Sequence, residues 1–335
     1  MRIPSVALAC CLVSACSPHS EEAIDQASWH SYRSTYIEDS GRVVDDGLAG
    51  ISHSEGQAYA MLLATAADDR QSFDRVWSWT RTHLGVREDR LAAWKWDPDN
   101  GSVVDRNNAS DADLLATWAL LRAADRWGDV EYSLHARRQL ADIRQHLIRD
   151  TAYGPVLLPG AEGFVHDGDV TVNLSYWVFP ALASFAEVDP DGPWQAVIES
   201  GVALIERATI GEHRLPPDWL ALSKTPAPSS LYPPRFGFDA IRIPLYACWG
   251  RLDVPALGHV EKFWSDPGSA PAWVDLVTGE PAGFALQPGG EAIRNLLQSC
   301  IHGDEFQPAP MDSSAGYYDN TLILLARVAS HERNG

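Results

Sequence analysis

Apolar residues recur at three- and four-residue spacing along most of this chain, and the strict alternation of a half-buried strand is scarce. The pattern predicts helices over 27–37, 55–67, 72–84, 111–127, 131–149, 177–186, 194–208, 241–249, 254–264, 290–300 and 318–329. Clusters such as Asp97-Pro98-Asp99-Asn100-Gly101, Pro216-Pro217-Asp218, Pro233-Pro234-Arg235 and Gln287-Pro288-Gly289-Gly290 punctuate these runs, but none is long or polar enough to divide the chain. No fixed-period repeat marks an open solenoid. One all-helical domain over 27–335, with about a dozen helices, is the economical architecture.

The first residues read differently. Arg2, the apolar run from Ile3 to Val13 and then Ser14-Ala15-Cys16 have the form of an export signal over 1–15. The run is shorter than the roughly 20 residues that span a bilayer. Val13-Ser14-Ala15-Cys16 also looks like a bacterial lipoprotein signal, in which the cysteine becomes the lipidated first residue; cleavage without lipid is the alternative. Residues 16–26 then form a polar tether, and the expected location is the periplasm, with membrane attachment only through a lipid on Cys16. Of the five cysteines, Cys248 and Cys300 remain in the folded body. Their helical surroundings favour two buried free thiols over a disulfide, and two thiols make no metal site.

With 21% charged and 45% hydrophobic residues, the chain has a folded, globular composition. Its formal charge of −19 argues against binding a nucleic-acid backbone or an anionic membrane surface, so partners should be neutral or cationic. Trp, at 13, outnumbers both Tyr and Phe. Such indoles either offer flat faces to a ligand or fill core.

Three acids stand where helices begin. Glu55 closes Ser52-His53-Ser54-Glu55, and Ser-x-x-Glu is the spacing of a capping box. Asp111 precedes Leu114, Leu115 and Trp118, and Asp239 precedes Ile241, Leu245 and Trp249. Each alone reads as a cap; together they predict a ring of helix starts that delivers carboxylates to one end of the domain. Paired carboxylates are what glycoside hydrolysis requires, one to protonate the leaving oxygen and one to activate water or attack the sugar carbon. A helix N-terminus lowers a carboxyl pKa, so an acid placed there needs burial or a neighbouring carboxylate to stay protonated. Trp94, Trp96, Tyr176, Trp177, Tyr317 and Tyr318 lie in or beside loops near these acids, where each either stacks on a sugar ring or belongs to the core.

At this level of detail the chain resembles glycoside hydrolase family 8. The resemblance rests on Ser54-Glu55-Gly56-Gln57-Ala58-Tyr59-Ala60-Met61, on Ala109-Ser110-Asp111-Ala112-Asp113, on Phe238-Asp239-Ala240-Ile241-Arg242 and on Tyr317-Tyr318-Asp319-Asn320, in family order over residues 27–330. Gly41-Arg42-Val43-Val44-Asp45, Trp94-Lys95-Trp96 and Pro217-Asp218-Trp219 are further points of similarity, and within the family the chain looks like the periplasmic endoglucanases encoded with bacterial cellulose synthase. The resemblance implies an (α/α)6 barrel of six inner and six outer helices, with a cleft across one end, and an inverting endo-1,4-β-glucanase that needs no cofactor and no metal. It also implies roles: Glu55 as general acid, Asp239 as general base, and Asp111 at the cleavage subsite helping to keep the acid protonated. Trp94, Trp96, Asp113, Tyr176, Arg242, Tyr317 and Tyr318 are the candidate substrate-binding residues, with Arg242 one helical turn from Asp239 and able either to orient it or to form an ordinary i,i+3 ion pair. Inversion with a water nucleophile sets the acid and base roughly 6.5 to 9.5 Å apart. The expected partner is a β-1,4-glucan, with a cellulose synthesis and export complex behind it, and the expected state is a monomer.

Two departures stand out. The family's Asn-Pro-Ser-Tyr is here Asn173-Leu174-Ser175-Tyr176, and Phe238 replaces the tyrosine that usually precedes the base. Xylanase or chitosanase activity, or a silent glycan-binding role in cellulose export, are the competing expectations. Asp239 in its Phe-Asp-Ala-x-Arg setting favours the cellulase and xylanase branch.

Overall fold

Some helices are buried on nearly every side, and others bury one stripe. α2 (Ser54–Ala66) buries eleven of its thirteen residues and α8 (Arg242–Trp249) buries all eight. α3 (Arg70–His83) buries only Ser72, Phe73, Val76, Trp77, Trp79 and Thr80. A helix surrounded by buried residues needs neighbours on every side, whereas an amphipathic one covers the outside. Packing sets the inner ring: α2, α4 (Ser110–Trp127), α6 (Phe179–Val188), α8, α10 (Pro288–His302) and α11 (Gly316–Asn334) each pack on the next, and α11 closes on α2. Outside lie α1 (Gln26–Tyr36), α3, α5 (Val130–His146), α7 (Trp194–Arg207) and α9 (Leu257–Ser265). The architecture is an all-α (α/α)6 barrel. Eleven α-helices occur among the described residues, because 304–312, between α10 and α11, forms no helix. The computed structural model describes residues 23–166, 168–265, 270–312 and 314–334; the signal over 1–15, Cys16 and most of the tether lie outside them.

Every helix read from the sequence is present, with ends that move by a few residues. The predicted helix over 131–149 stops at His146 because β4 (Ile148–Thr151) turns back on β5 (Gly154–Leu157). Short strands are more frequent than the pattern foretells. β1 (Ser52–His53), β2 (Ala93–Asp97) and β3 (Ser102–Asn108) make one antiparallel sheet, and β6 (Val165–His166), β7 (Asp169–Val172), β8 (Leu220–Leu222) and β9 (Ala227–Pro228) another. Strands of two to four residues are too short to show a period. All of them lie in connections that lead into an inner helix, so they wall the barrel end where inner helices start.

The helix starts differ in their caps. α1, α3 and α5 are capped by Asp25, Asp69 and Asp129, whose carboxylates accept from Ser28 N at 2.8 Å, Ser72 N at 3.0 Å and Glu131 N at 3.0 Å. Inner helices α4 and α8 start on Ala109 and Ile241, without a side-chain cap.

Cys248 and Cys300 are joined as a disulfide with their Cα atoms 6.1 Å apart, which overturns the expectation of free thiols. They lie in the last turns of α8 and α10, which are ring neighbours, and their separation of 52 residues hid that proximity.

Candidate active site

Glu55 is the second residue of α2, but the capping box expected around it does not form. His53 is the cap: its Nδ1 accepts from Gly56 N at 3.0 Å, which leaves the ring proton on Nε2, 3.2 Å from Asp45 Oδ2. The Ser52 hydroxyl instead donates to the Val43 carbonyl at 2.5 Å and accepts from Arg42 Nε at 2.9 Å. The Glu55 carboxylate is therefore released toward the barrel axis, where Tyr59 donates to Oε1 at 2.9 Å. Only glycine fits next in the chain, since a Cβ on Gly56 would stand 2.8 Å from the Tyr317 hydroxyl.

Asp111, second in α4, is buried; its Oδ1 accepts from Ala112 N at 2.8 Å and its carboxyl shares a hydrogen bond with Glu55. Asp239 precedes α8 in a tight turn in which Arg242 N donates to Asp239 O at 3.0 Å, so the acid stands before the helix and does not open it. Two side chains hold that turn. Asp218 accepts from Gly237 N and Ala240 N, each at 2.9 Å, and from Arg235 Nε at 3.0 Å; the Tyr318 hydroxyl donates to the Phe238 carbonyl at 2.7 Å.

Arg242 joins the three acids. It is 3% exposed. Nη1 donates to Glu55 Oε1, while Nη2 lies 3.0 Å from Asp239 Oδ1, 3.0 Å from Ser175 Oγ and 3.7 Å from Asp111 Oδ2. Ser175 in turn donates to Asn173 Oδ1 at 2.7 Å. The ordinary i,i+3 ion pair with Asp239 is thus one edge of a larger network. The guanidinium occupies the centre where a cation would otherwise sit among the carboxylates, and no group of three or more His, Cys, Asp or Glu among the described residues is arranged to hold a metal.

The electrostatics separate the acids. Burial pushes Asp239 up to about 7, helped by the charges of Asp218 and Glu55 and opposed by Arg242. Burial and the neighbouring charge of Glu55 hold Asp111 well above the usual carboxylate range. Burial works on Glu55 in the same direction, but Arg242 and the hydrogen bond from Asp111 outweigh it and keep Glu55 below its ordinary value. A proton shared by the pair is therefore held more readily by Asp111 than by Glu55, one hydrogen bond away. Solvent reaches the site: Asp239 keeps 29% of its side-chain surface and Glu55 16%.

The aromatic expectations divide. Tyr176 is at the centre, its ring 5.8 Å from the Arg242 guanidinium. Trp94 and Trp96 lie half-buried on β2; Arg42 stands 4.7 Å over Trp96 and Lys95 5.6 Å over Trp94. Tyr318 serves the base turn through its hydroxyl. Asp113 and Tyr317, each 1% exposed, correct the expectation of substrate contact. Asp113 accepts from Ala92 N at 3.0 Å and Asn108 Nδ2 at 2.7 Å, which ties the β2–β3 hairpin to α4. Tyr317 packs against Tyr36 at 5.5 Å and His53 at 5.9 Å. Trp177 is core, donating to the Val197 carbonyl.

Sequence reasoning missed Asp218 as the clamp of the base turn, Ser175 beneath Arg242, and an aromatic row in which Trp219 stacks on Tyr232 at 4.1 Å and on Phe164 at 5.8 Å. Pro216-Pro217-Asp218-Trp219 carried the signal, but it reads as loop punctuation until the loop is placed.

Carboxylates gathered on one arginine at the solvent-reached end of an (α/α)6 barrel define a glycoside hydrolase of the helical-barrel kind. Residues 1–332 match the family described as "Glycosyl hydrolases family 8", and the chain belongs to that family. It is 38% identical over 312 residues to a "Probable endoglucanase" of Novacetimonas hansenii, covering 91% of this chain and 90% of the relative. The structure of endo-beta-1,4-glucanase CMCax from Acetobacter xylinum superposes with a TM-score of 0.86 at 38% identity, over 92% of this chain and 98% of that one. Endoglucanase Cel10 from Klebsiella pneumoniae gives 0.86 at 33% identity, over 92% and 99%.

Proposed function

We propose that this chain is an endo-1,4-β-glucanase that cuts internal β-1,4-glucosidic bonds of cellulose or a related β-glucan with inversion, and that Glu55, Asp111 and Asp239 carry the reaction. The observation that bears the proposal is the single guanidinium that holds Glu55 and Asp239 by separate nitrogens, leaving space above Asp239 open to solvent. Ionised Asp239 takes a proton from water as the water oxygen bonds to the anomeric carbon. The glycosidic C–O bond breaks in the same step, and its oxygen receives a proton from Glu55, supplied across the hydrogen bond from Asp111. Trp94, Trp96 and Tyr176 supply faces for the glucan chain on either side.

The protein acts in the periplasm, delivered by the signal over 1–15 and held there by a lipid on Cys16, in the service of cellulose synthesis and export. The Cys248–Cys300 disulfide supports an oxidising compartment.

The test is reducing-end release and viscosity loss on carboxymethylcellulose, xylan and chitosan in parallel, with Glu55→Gln as the blank. Rapid viscosity loss on carboxymethylcellulose alone is expected. Cleavage of xylan or chitosan in its place reassigns the substrate, and binding without cleavage of any polymer makes the chain a glycan-binding protein.

A further inference from the structure

Next to Glu55, two buried phenols form a chain that the hydrolytic mechanism leaves unused. Tyr59 lies one helical turn beyond Glu55 on α2 and donates to Glu55 Oε1 at 2.9 Å. Its oxygen is 3.0 Å from the hydroxyl of Tyr246, which comes from α8, 187 residues away. Neither ring is more than 1% exposed. A phenol has one proton to give. Since that of Tyr59 goes to Glu55, Tyr246 must be the donor to Tyr59, and the direction of the chain is fixed: Tyr246 to Tyr59 to Glu55. Burial keeps both phenols protonated far above any working pH, so the chain is a permanent donor and never a base.

The same oxygen, Oε1, also receives Nη1 of Arg242. Two donors on one oxygen place the charge of the carboxylate there and leave Oε2 as the oxygen that carries a proton. The other charged and titratable groups facing this carboxyl are Asp111 from α4, His53 from the turn before α2, Tyr176 beside Arg242, Tyr317 and Tyr318 from α11, and Asp239 from the base turn.

We propose that Tyr246 and Tyr59 are positioning residues that act in series to orient the Glu55 carboxyl, pinning Oε1 against Arg242 so that Oε2 is presented to the leaving oxygen. The proposal rests on Glu55 being the general acid. Hydrogen-bond chains of this kind polarise one another, so removing the far member weakens the near bond without touching the acid.

The experiment measures kcat/KM against pH on a soluble cello-oligosaccharide for wild type, Tyr59→Phe, Tyr246→Phe, the double variant and Glu55→Gln, with thermal midpoints for each. Losing a donor to the charged form raises the pKa of the Glu55–Asp111 pair, so the alkaline limb should move up by about one unit in Tyr59→Phe and by less in Tyr246→Phe. The double variant should match Tyr59→Phe, because Tyr246 has no route to Glu55 except through Tyr59. A Tyr246→Phe profile that only scales in height, or a double variant shifted by the sum of the singles, overturns the relay. Retained activity in Glu55→Gln overturns the acid assignment instead, a result distinct from either.

Discussion

Arg242 and Glu55, 187 residues apart in sequence, meet in a hydrogen bond at the centre of the barrel mouth. The contact exists because α2 and α8 both start at that end, and it makes the guanidinium the one cation shared by three acids. Arg242→Lys keeps the charge but offers a point donor in place of a fork, so it cannot reach Glu55, Asp239 and Ser175 together. Turnover on carboxymethylcellulose should fall by about 100-fold or more, in line with the loss of other preorganised site donors. Arg242 also lowers the Asp239 pKa, so in any residual activity of Arg242→Ala the acid limb should move to higher pH. A lysine variant with wild-type turnover would show that charge alone suffices.

Removal of either reacting group tests the role assignment. Glu55→Gln and Asp239→Asn should each lower turnover by at least ~100-fold, since general acid–base groups supply roughly 10²- to 10⁴-fold. Binding of cello-oligosaccharides, followed by calorimetry on the inactive variants, should persist. Activity near wild type in Asp239→Asn would move the base elsewhere.

The pH profile follows from the raised carboxyl of the base. Asp239 works ionised, and burial has pushed its carboxyl up to about 7 from 3.8. The sign is direct: kcat/KM rises with pH up to about 7 as Asp239 loses its proton, and falls again when the Glu55–Asp111 pair loses its shared one. Asp218 is a negative neighbour that adds to the shift, so Asp218→Asn should lower the acid limb while also loosening the base turn and reducing kcat. An acid limb near pH 4 in the wild type would mean that Asp239 is better hydrated than its surroundings imply.

Asp113 provides a contrast within the same helix. Its carboxyl accepts two hydrogen bonds below the hairpin and faces no open surface. Asp113→Ala strands the Ala92 N–H and the Asn108 amide, which should cost about 1–3 kcal/mol in urea unfolding while kcat of the folded enzyme stays within a few-fold of wild type. A large rise in KM at unchanged stability would return Asp113 to the substrate surface.

The helices were legible because their apolar runs are long and periodic, and the gathering of Glu55, Asp111 and Asp239 at one barrel end was legible because they stand at or just before helix starts within motifs. What the sequence concealed depends on ring closure. Ser52 and Ser54 flank His53, and periodicity cannot tell which of the three caps α2; the answer follows from Ser52 being drawn to Val43 and Arg42. Asp218 looks like any aspartate after two prolines until the base turn folds over it. Tyr246 reads as a core aromatic, which it is, and only the approach of α2 gives its hydroxyl a partner.

The disulfide extends the same point to stability. Cys248 is six residues beyond Arg242 on α8, and its bond to Cys300 staples that helix to α10. Closing a loop of 52 residues restricts the unfolded chain enough to contribute about 4 kcal/mol in the chain-entropy account. Both cysteines lie in the last turns of their helices, whereas the acids lie at or just before the first turns, so the bond should matter for stability and not for chemistry. The double variant Cys248→Ala with Cys300→Ala, or wild type under a reductant, should melt about 5 to 10 °C lower while retaining kcat at 25 °C. Free-thiol titration of the unfolded, unreduced chain should show neither cysteine. Two titratable thiols together with an unchanged melting point would establish that the pair is reduced in the native protein, and would remove the support that the bond lends to an exported location.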